Sequence, residues 1–409
     1  MEPKIRLKGF SGEWEETKFD SLAKIRRGLT YSPSNITAKG VRVLRSSNIN
    51  EDTFVASEED VFVEEGCVNV PLANDGDILI TAANGSPRLV GKHAVIETNG
   101  SKMAPGGFMV LAMTDEPYFL NTCMSSPWYK KFLKTGVAGG NGAIGNLNKT
   151  SLSESMFYIP TDKVERDSLA SYFQHLDNLI LSTTKKIESL KQVKAASLQS
   201  MFPQEGETTP RVRFKGFEGE WENKPLGECL TINNERNQNN VYGINDVLSV
   251  SDEVGVVNQI KLLGRSYAGK SVANYRVLKT NQIVYTKSPL KSKPYGIIKV
   301  NKGDIGIVSV LYAVYDANEN VYPDYIHYYF EPIHRINNYL LPLINKGAKN
   351  TMNISDEMAL TGNIWIPSLE EQNTIANYLK ALDRQITLHT QRLEKLKQIK
   401  AACLDKMFV

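Results

Sequence analysis

The amino-acid sequence predicts an α+β protein with two mixed α/β domains in tandem, each followed by a long helix. Three observations support this prediction: a short motif occurs twice, a helical stretch occurs twice, and the segments between them contain short strand patterns. Because the repeats lie 206 to 207 residues apart, they indicate duplication of a whole domain rather than a solenoid of small repeats.

One matched segment opens each copy and another closes it. Residues 3–15 are PKIRLKGFSGEWE and residues 210–222 are PRVRFKGFEGEWE, identical at nine of 13 positions. Residues 172–202 and 378–408 are identical at 15 of 31 positions. The segments between these matches resemble each other very little. The chain therefore consists of a repeated frame that carries two variable domains.

The closing segments have the apolar spacing of coiled-coil helices, with steps of three and four that form one narrow stripe. We call this stripe the helix-pair seam; it comprises Phe173, Leu176, Ile180, Ile187, Leu190, Leu379, Leu382, Ile386, Leu393 and Leu396. A rod of about 28 residues, or roughly 40 Å, cannot bury its stripe against one compact domain. We therefore expect the two helices to pair as an antiparallel coiled coil with pseudo-two-fold symmetry. The alternative is that each helix packs only on its own domain.

These matches set the predicted boundaries. The first variable domain covers residues 1–160 and its helix covers 161–202, while the second domain covers 210–367 and its helix covers 368–409. Residues 203–209 form a polar linker that contains a helix-stopping proline and a flexible glycine.

Charge is distributed unevenly along a chain whose net charge is only +3. Residues 261–302 contain ten Lys or Arg and no acid, and residues 117–153 also contain no acid. Such segregation creates local positive fields on a nearly neutral protein. A solvated surface is the alternative for one basic segment, but one in each copy favours a polyanionic partner.

Each variable domain contains a β-hairpin pattern that presents a polar, basic loop. The strand patterns and the loop cover residues 41–49, 76–81 and 82–92 in the first copy, and 275–279, 282–286 and 287–296 in the second. Such loops suit DNA, because Arg and Lys bind phosphates and guanine while Asn and Ser bind other base edges. Ordinary surface loops have a similar composition.

Residues 264–271, GRSYAGKS, match the phosphate-loop pattern of nucleotide-binding proteins. That chemistry requires a strand before the loop and a helix after it. The residues that follow, VANYRVL, resemble a loop leading into a strand, so we expect Lys270 to belong to the basic segment instead.

The chain resembles the specificity subunits of type I restriction–modification systems over essentially its whole length. Besides the duplicated entry motif, the resemblance rests on Asn353-Ile354-Ser355, Ile366-Pro367, Glu371-Gln372, Tyr378-Leu379 and Leu382-Asp383. The first copy retains Asn146-Leu147-Asn148, Ile159-Pro160, Tyr172-Phe173 and Leu176-Asp177. It departs from the family pattern at Glu165-Arg166, where Glu-Gln is usual.

The resemblance implies that each variable domain is a target-recognition domain for one half of a bipartite double-stranded DNA site. It implies that the helices set the half-site spacing and bind two methyltransferase subunits, and that two motor–nuclease restriction subunits join the complex. Since the domains differ, we expect an asymmetric target. The chain itself would be non-catalytic and hold no cofactor or metal, with S-adenosylmethionine, ATP and Mg²⁺ on the partner subunits.

We predict base or phosphate contacts from polar and basic residues of the two loops and their flanking segments. They are Arg45, Ser47, Asn48, Asn84, Ser86, Arg88 and Lys92 in the first domain, and Arg265, Lys270, Lys287, Ser288, Lys291, Lys293 and Tyr295 in the second. Any of them could instead be an ordinary surface residue.

Two other functions stay open at this point: a coiled-coil scaffold that binds proteins, and a phosphate-loop nucleotide-binding protein. The absence of an apolar leader or membrane-spanning stretch predicts a cytoplasmic location, in a bacterium or archaeon if the family resemblance holds.

Overall fold

The computed structural model describes residues 1–138, 145–269, 271–290, 293–346 and 352–409. The chain divides into two compact units: unit 1 comprises Met1–Lys185 and Thr390–Val409, and unit 2 comprises Lys186–His389. Each unit contains one variable domain, the first half of the helix that follows it, and the second half of the other copy's helix.

Unit 1 contains short strands, four short helices and the start of the first long helix. The strands are β1 Glu15–Lys18, β2 Lys24–Arg27, β3 Ile36–Thr37, β4 Val41–Leu44, β5 Ile49–Asn50, β6 Thr53–Phe54, β7 Phe62–Val63, β8 Ile78–Thr81, β9 Ala83–Asn84, β10 His93–Val95, β11 Met103–Pro105, β12 Met109–Met113, β13 Val137–Ala138, β14 Gly145–Leu147 and β15 Met156–Ile159. The helices are α1 Phe19–Leu22, α2 Pro117–Ser125, α3 Pro127–Gly136, α4 Lys149–Ser153 and α5 Lys163–Ser200.

The main sheet of unit 1 has the strand order β10-β8-β12-β2 and is antiparallel. A second sheet has the order β11-β4-β7-β3, with β11 parallel to β4. Strand β8 is buried on both faces: Ile78 and Ile80 join one apolar cluster while Leu79 joins another. A strand covered on both faces requires a continuous apolar run instead of an alternating pattern, which explains the sequence Ile-Leu-Ile.

Unit 2 repeats the main sheet with unrelated residues. Its strands are β16 Glu222–Pro225, β17 Leu230–Ile232, β18 Leu248–Ser251, β19 Gly255–Asn258, β20 Arg276–Leu278, β21 Ile283–Tyr285, β22 Ile298–Val300, β23 Gly306–Val308, β24 Ala313–Ala317, β25 Asn345–Lys346, β26 Met352–Asn353 and β27 Asn363–Ile366. Its helices are α6 Gln259–Leu263, α7 Pro323–Tyr329, α8 Ile333–Leu340 and α9 Leu369–Met407. The main sheet order, β17-β24-β21-β22, corresponds strand by strand to β2-β12-β8-β10.

Each predicted loop lies between two antiparallel strands, but the strand patterns at residues 41–49 and 275–279 do not pair with the strand that precedes the loop. Strand β8 pairs antiparallel with β10 across the loop of residues 82–92, and β21 pairs antiparallel with β22 across residues 286–297. Strand β4 pairs with β11, and strand β20 pairs with β23. The hairpin of each unit therefore consists of the two strands that lie immediately before and after the loop.

Helices α5 and α9 contain 38 and 39 residues, so each is about 57 Å long at 1.5 Å per residue. The rod of about 28 residues predicted from apolar spacing is shorter than either helix, whereas the predicted boundaries 161–202 and 368–409 enclose both helices. Each helix in fact begins at a polar residue beyond that region. The Asp162 carboxylate accepts a hydrogen bond from the Val164 amide at 2.8 Å, and the Ser368 hydroxyl accepts one from the Glu371 amide at 3.4 Å.

The two helices run antiparallel within each unit. In unit 1 the Lys400 ammonium lies 2.7 Å from the Asp177 carboxylate, and the Tyr172 hydroxyl lies 3.4 Å from the Cys403 sulfur. In unit 2 Lys194 lies 2.7 Å from Asp383. As the residue number increases along α5, the residue number of its contact on α9 decreases. The predicted antiparallel pair is therefore confirmed. The seam residues are buried, except that Ile386, Leu393 and Leu396 are half-buried.

A lysine of the helix pair also binds the variable domain in each unit. Lys400 contacts the Asp52 carboxylate at 2.9 Å in unit 1. Lys194, its counterpart 206 residues earlier, contacts the Glu331 carboxylate at 2.6 Å in unit 2. Each lysine is thus shared between an aspartate of the facing helix and an acid of the variable domain.

The entry motif is fixed to the start of the long helix by an arginine. The Arg6 guanidinium donates to both Glu165 carboxylate oxygens at 2.7 Å and to the Ser11 carbonyl at 3.0 Å, while it also donates to the Gly12 carbonyl. Gly12 adopts a φ of 92°, a conformation that favours glycine. This geometry explains why the motif has glycine at that position.

Unit 2 has the same clamp between its own entry motif and helix. Arg213 donates to both Glu371 carboxylate oxygens at 2.7 Å and to the carbonyls of Glu218 and Gly219. We refer to these two arrangements as the Arg–Glu clamps. The first copy has Arg166 where the second copy has Gln372. This difference leaves the clamp unchanged, because the clamp is formed by the preceding residue, Glu165.

We expect the substitution Arg6→Ala to destabilise unit 1 by about 3 kcal/mol, because it leaves the Glu165 carboxylate buried without its partner. Urea unfolding followed by circular dichroism measures this change. The control Lys163→Ala removes an ion pair with Asp167 whose side chains are 62% and 60% exposed, and should cost less than about 1 kcal/mol. Equal effects of the two substitutions would contradict a structural role for the clamp.

Candidate nucleic-acid interface

In unit 1 several strand ends and turns surround a cleft of about 450 Å³. Its lining includes Arg45 and Ser46 after β4, Asn84 on β9, and residues 29–31 and 106–109. Among the described residues, Arg45 is the only charged residue in this lining, so no carboxylate from them faces the cleft. The cleft therefore combines apolar walls with hydrogen-bonding groups and one cation, a combination that suits nucleobases.

Two predicted contact residues, Arg45 and Ser47, are exposed beside this cleft, whereas Asn48 is only 1% exposed. The Asn48 side-chain oxygen accepts from the Arg45 amide at 2.8 Å, and its nitrogen donates to the Val55 carbonyl at 3.0 Å. The nitrogen also donates to the Asp60 carboxylate. Asn48 thus shapes the turn that presents Arg45. We withdraw it as a contact residue, because its polar atoms are already bound inside the protein.

The loop after β8 splits into two parts. Asn84 donates to the Ser46 hydroxyl at 3.1 Å and its oxygen accepts from the Ser86 amide at 2.9 Å, which joins this part to the cleft. Arg88 and Lys92 line a different cavity of about 520 Å³, beside Asp52 and Lys400. The structure therefore brings Arg45, Asn84 and Ser86 together and separates Arg88 and Lys92 from them.

The acid-free segment of the first copy also contributes exposed cations. Lys130, Lys131 and Lys134 lie on α3 and are exposed. Burial and the nearby Arg27 guanidinium lower the pKa of Lys149. The prediction of a positive surface in unit 1 therefore rests mainly on α3.

In unit 2 most cations of residues 261–302 form ion pairs with acids from elsewhere in the sequence. The pairs are Arg276 and Lys287 with Asp356, Lys279 with Glu235, Lys293 and Lys299 with Asp252, and Lys302 with Asp324. Although burial alone would raise the pKa of Asp252, the Lys293 and Lys299 ammoniums hold it below its ordinary value. The continuous positive field expected from the sequence is thus largely neutralised by folding.

The predicted contacts of unit 2 have different environments. Lys293 is 4% exposed and donates to the Asp252 carboxylate at 2.8 Å, so we withdraw it as a contact residue. Lys287 is half-buried and donates to Asp356 at 2.6 Å, while Ser288 is half-buried. Tyr295 packs against the apolar core. Lys270 and Lys291 lie outside the described residues.

Among the predicted contacts of unit 2 that the structure describes, Arg265 is the exposed one. Its guanidinium lies 4.6 Å from the centre of the Tyr267 ring, which is 62% exposed. This cation–aromatic pair holds the long arginine side chain in a defined direction at the surface. A stacked arginine and tyrosine can contact phosphates or base edges.

The structure does not support a phosphate-binding loop at residues 264–271. Helix α6 ends at Leu263 and is capped by Gly264, whose φ is 77°. Among the described residues, the next regular element is strand β20. The order is helix, loop, strand, which is the reverse of what phosphate binding at a helix N-terminus requires.

Sequence reasoning missed two exposed apolar side chains, Phe108 and Leu311, which are 66% and 62% exposed. Each lies in a turn that leads into a buried strand of the main sheet, β12 or β24. Their signal in the sequence is a large apolar residue directly after Gly106-Gly107 or two residues after Ser309, but a core residue has the same appearance.

No helix among the described residues is long and apolar enough to span a membrane.

Residues 218–398 match the family model of the type I restriction modification DNA specificity domain. Residues 218–398 therefore carry this DNA specificity domain. Over 418 aligned positions it is 25% identical to a protein named as the specificity subunit of the type I restriction enzyme MjaX from Methanocaldococcus jannaschii, covering 96% of this chain and 92% of the relative. The chain also shares its fold with the crystal structure of the S subunit of a type I restriction–modification system from M. genitalium. That comparison has a TM-score of 0.61 and 13% identity, and it covers 100% and 99% of the two chains.

We expect Asn48→Ala and Lys293→Ala each to lower stability by about 2 kcal/mol. The first removes a buried side chain that bonds the Arg45 amide and the Val55 carbonyl, and the second removes a buried side chain that donates to the Asp252 carboxylate and the Glu331 carbonyl. The matched controls Ser47→Ala and Arg265→Ala, at exposed positions, should change stability by less than about 0.5 kcal/mol. Urea unfolding of the four variants tests the assignment. It is contradicted if the buried and the exposed pairs behave alike.

Proposed function

We propose that this chain recognises an asymmetric, bipartite double-stranded DNA target, with one half-site bound by the variable domain of each unit. The observation that carries this proposal is that the two units share a repeated frame but present different polar surfaces. Unit 1 presents Arg45 and Asn84 beside a cleft, whereas unit 2 presents Arg265 stacked on Tyr267. Surfaces with different donors and acceptors select different base sequences.

We further propose that the chain is non-catalytic and that two methyltransferase subunits bind to its helices. Val193 and Ile399 are equivalent positions of α5 and α9, and their side chains remain 42% and 38% exposed. An exposed β-branched residue at the same place on both helices supports two equivalent apolar contacts. In this proposal two restriction subunits join the complex, and S-adenosylmethionine, ATP and Mg²⁺ are held by the partner subunits.

The repeat also supports a role of the helices in setting the half-site spacing. The half-sites of DNA-binding dimers are commonly about 34–36 Å apart, one turn of B-DNA. A continuous α-helix has the stiffness to fix a spacing of that order. The helices α5 and α9 each contribute residues to both units, so a change in their length affects both recognition domains.

Replacing residues 15–160 by the corresponding domain of another family member should change one half of the DNA target and leave the other half unchanged. The reason is that each unit has its own sheets and core. Sequencing of methylated adenines in cells that express the chain with its methyltransferase measures both halves. The unmodified chain is the control, and a change in both halves would contradict the modular assignment.

A gel shift with the same complex separates DNA recognition from the scaffold alternative. Affinity for the target should fall steeply as salt rises, because phosphate contacts release counterions. A scaffold for proteins would show no sequence-selective DNA binding under any salt condition.

The single substitutions Val193→Glu and Ile399→Glu should each reduce the number of bound methyltransferase subunits from two to one, and the double substitution should abolish binding. A carboxylate in an apolar contact costs several kcal/mol of binding free energy, or a factor of at least about 100 in affinity. Mass measurement of the purified complex counts the subunits. Val164→Glu, at a position 62% exposed in the first turn of α5, is the control and should retain both. Retention of two subunits by the double variant would refute this docking site.

A further inference from the structure

The two units present an exposed apolar side chain at the same position of the same turn. In unit 1 the Met109 amide donates to the Gly106 carbonyl at 2.8 Å, which closes the turn of residues 106–109. In unit 2 the Tyr312 amide donates to the Ser309 carbonyl at 3.0 Å, which closes the turn of residues 309–312. Phe108 and Leu311 are both the third residue of their turn.

These turns also occupy the same place in the fold. The first connects β11 to β12, and the second connects β23 to β24. Strands β12 and β24 are the corresponding inner strands of the two main sheets. A single exposed apolar residue is common on protein surfaces. Its recurrence at one structural position of two domains with little sequence similarity is not explained by folding, since neither side chain contributes to a core.

The backbone around Phe108 is fixed while its ring is exposed. The Phe108 carbonyl accepts hydrogen bonds from the Ala82 and Ala83 amides at 2.8 and 3.0 Å. Gly106 lies so close to β4 that an added Cβ would come within 3.1 Å of the Leu44 carbonyl oxygen. A fixed backbone reduces the entropy that a protruding side chain loses when it binds a partner.

The surroundings of Phe108 favour DNA over protein as that partner. Phe108 lines the cleft that also contains Arg45, whose exposed guanidinium matches the hydrogen-bonding edge of guanine. Thymine differs from the other bases in the major groove by its 5-methyl group, which is recognised through apolar contact. An apolar side chain placed among base-edge donors therefore complements a thymine.

We propose that Phe108 and Leu311 are specificity-determining residues, each of which contacts the 5-methyl group of a thymine in its half-site. The proposal rests on the function proposed above and extends it to two residues and one chemical group. Because one residue is aromatic and the other is a smaller aliphatic residue, they contribute to the difference between the half-sites.

The test uses the complete chain with its co-purified methyltransferase subunits and a duplex that contains the target found by methylation sequencing. Each thymine of the target, on either strand, is replaced in turn by deoxyuridine, which lacks only the methyl group. We expect one replacement in each half-site to weaken binding by the wild-type complex about fourfold, the effect of losing one buried methyl contact.

The variants Phe108→Ala and Leu311→Ala should bind the thymine-containing target at least about fourfold more weakly than the wild type. Each should also become indifferent to the deoxyuridine replacement in its own half-site while it still detects the other. Val164→Ala and Leu369→Ala, at exposed apolar positions 62% and 38% accessible, are the controls and should behave as the wild type. Unchanged unfolding midpoints confirm that all four variants are folded.

Three results would overturn this inference while leaving the proposed function intact. They are a wild-type complex that selects its target but tolerates deoxyuridine everywhere, alanine variants that still discriminate, or a half-site without thymine on either strand. Variants that bind DNA normally but lose the methyltransferase subunits would also overturn it, in favour of a protein contact. A wild-type complex that does not select any DNA sequence would refute the proposed function itself.

Discussion

The apolar stripe of each long helix is the constraint on which the rest of the structure depends. A helix of 38 or 39 residues exposes a continuous apolar face that must be covered if the helix is to be stable in water. Antiparallel pairing covers that face with the equivalent face of the other helix. As a result each unit is composed of residues from both copies, and neither copy of the repeat forms a complete unit alone.

The Arg–Glu clamps transmit this constraint to the variable domains. The entry motif precedes the first strand of each domain, and the glutamate lies in the first turn of the following helix. Each clamp therefore joins the two ends of a domain at the point where the chain enters the helix. Because Glu165 and Glu371 are each only 1% exposed, their pairing with arginine is needed to offset the cost of burying a carboxylate.

Much of the frame could be predicted from the sequence, because its signals are local or repeated. Apolar spacing predicted the helices and their seam, and duplication predicted that the two domains share one architecture. Apolar spacing alone gave helices that are too short, since capping at Asp162 and Ser368 starts each helix before the region of regular spacing; the ends of the repeated segments gave the better boundaries. The strand partners of β4 and β20 could not be predicted either, because they come from distant segments.

The candidate interface was predicted less well than the frame, for electrostatic reasons. Lys293 and Asn48 have the composition of contact residues, but their partners Asp252 and Asp60 are 41 and 12 residues away in sequence. Whether a cation is free or paired depends on such tertiary contacts. Phe108 and Leu311 were missed for the opposite reason, because an apolar residue before a buried strand is normally a core residue.

The shared lysines of the helix pair have a consequence for the evolution of such chains by recombination. Lys194 and Lys400 belong to the repeated frame, whereas their partners Glu331 and Asp52 belong to the variable domains. A domain acquired from another gene must therefore bring its own acid to this one place, although the rest of its sequence is free to diverge. This requirement acts as a compatibility rule: an exchanged variable domain keeps its contact to the helix pair only when it carries such an acid.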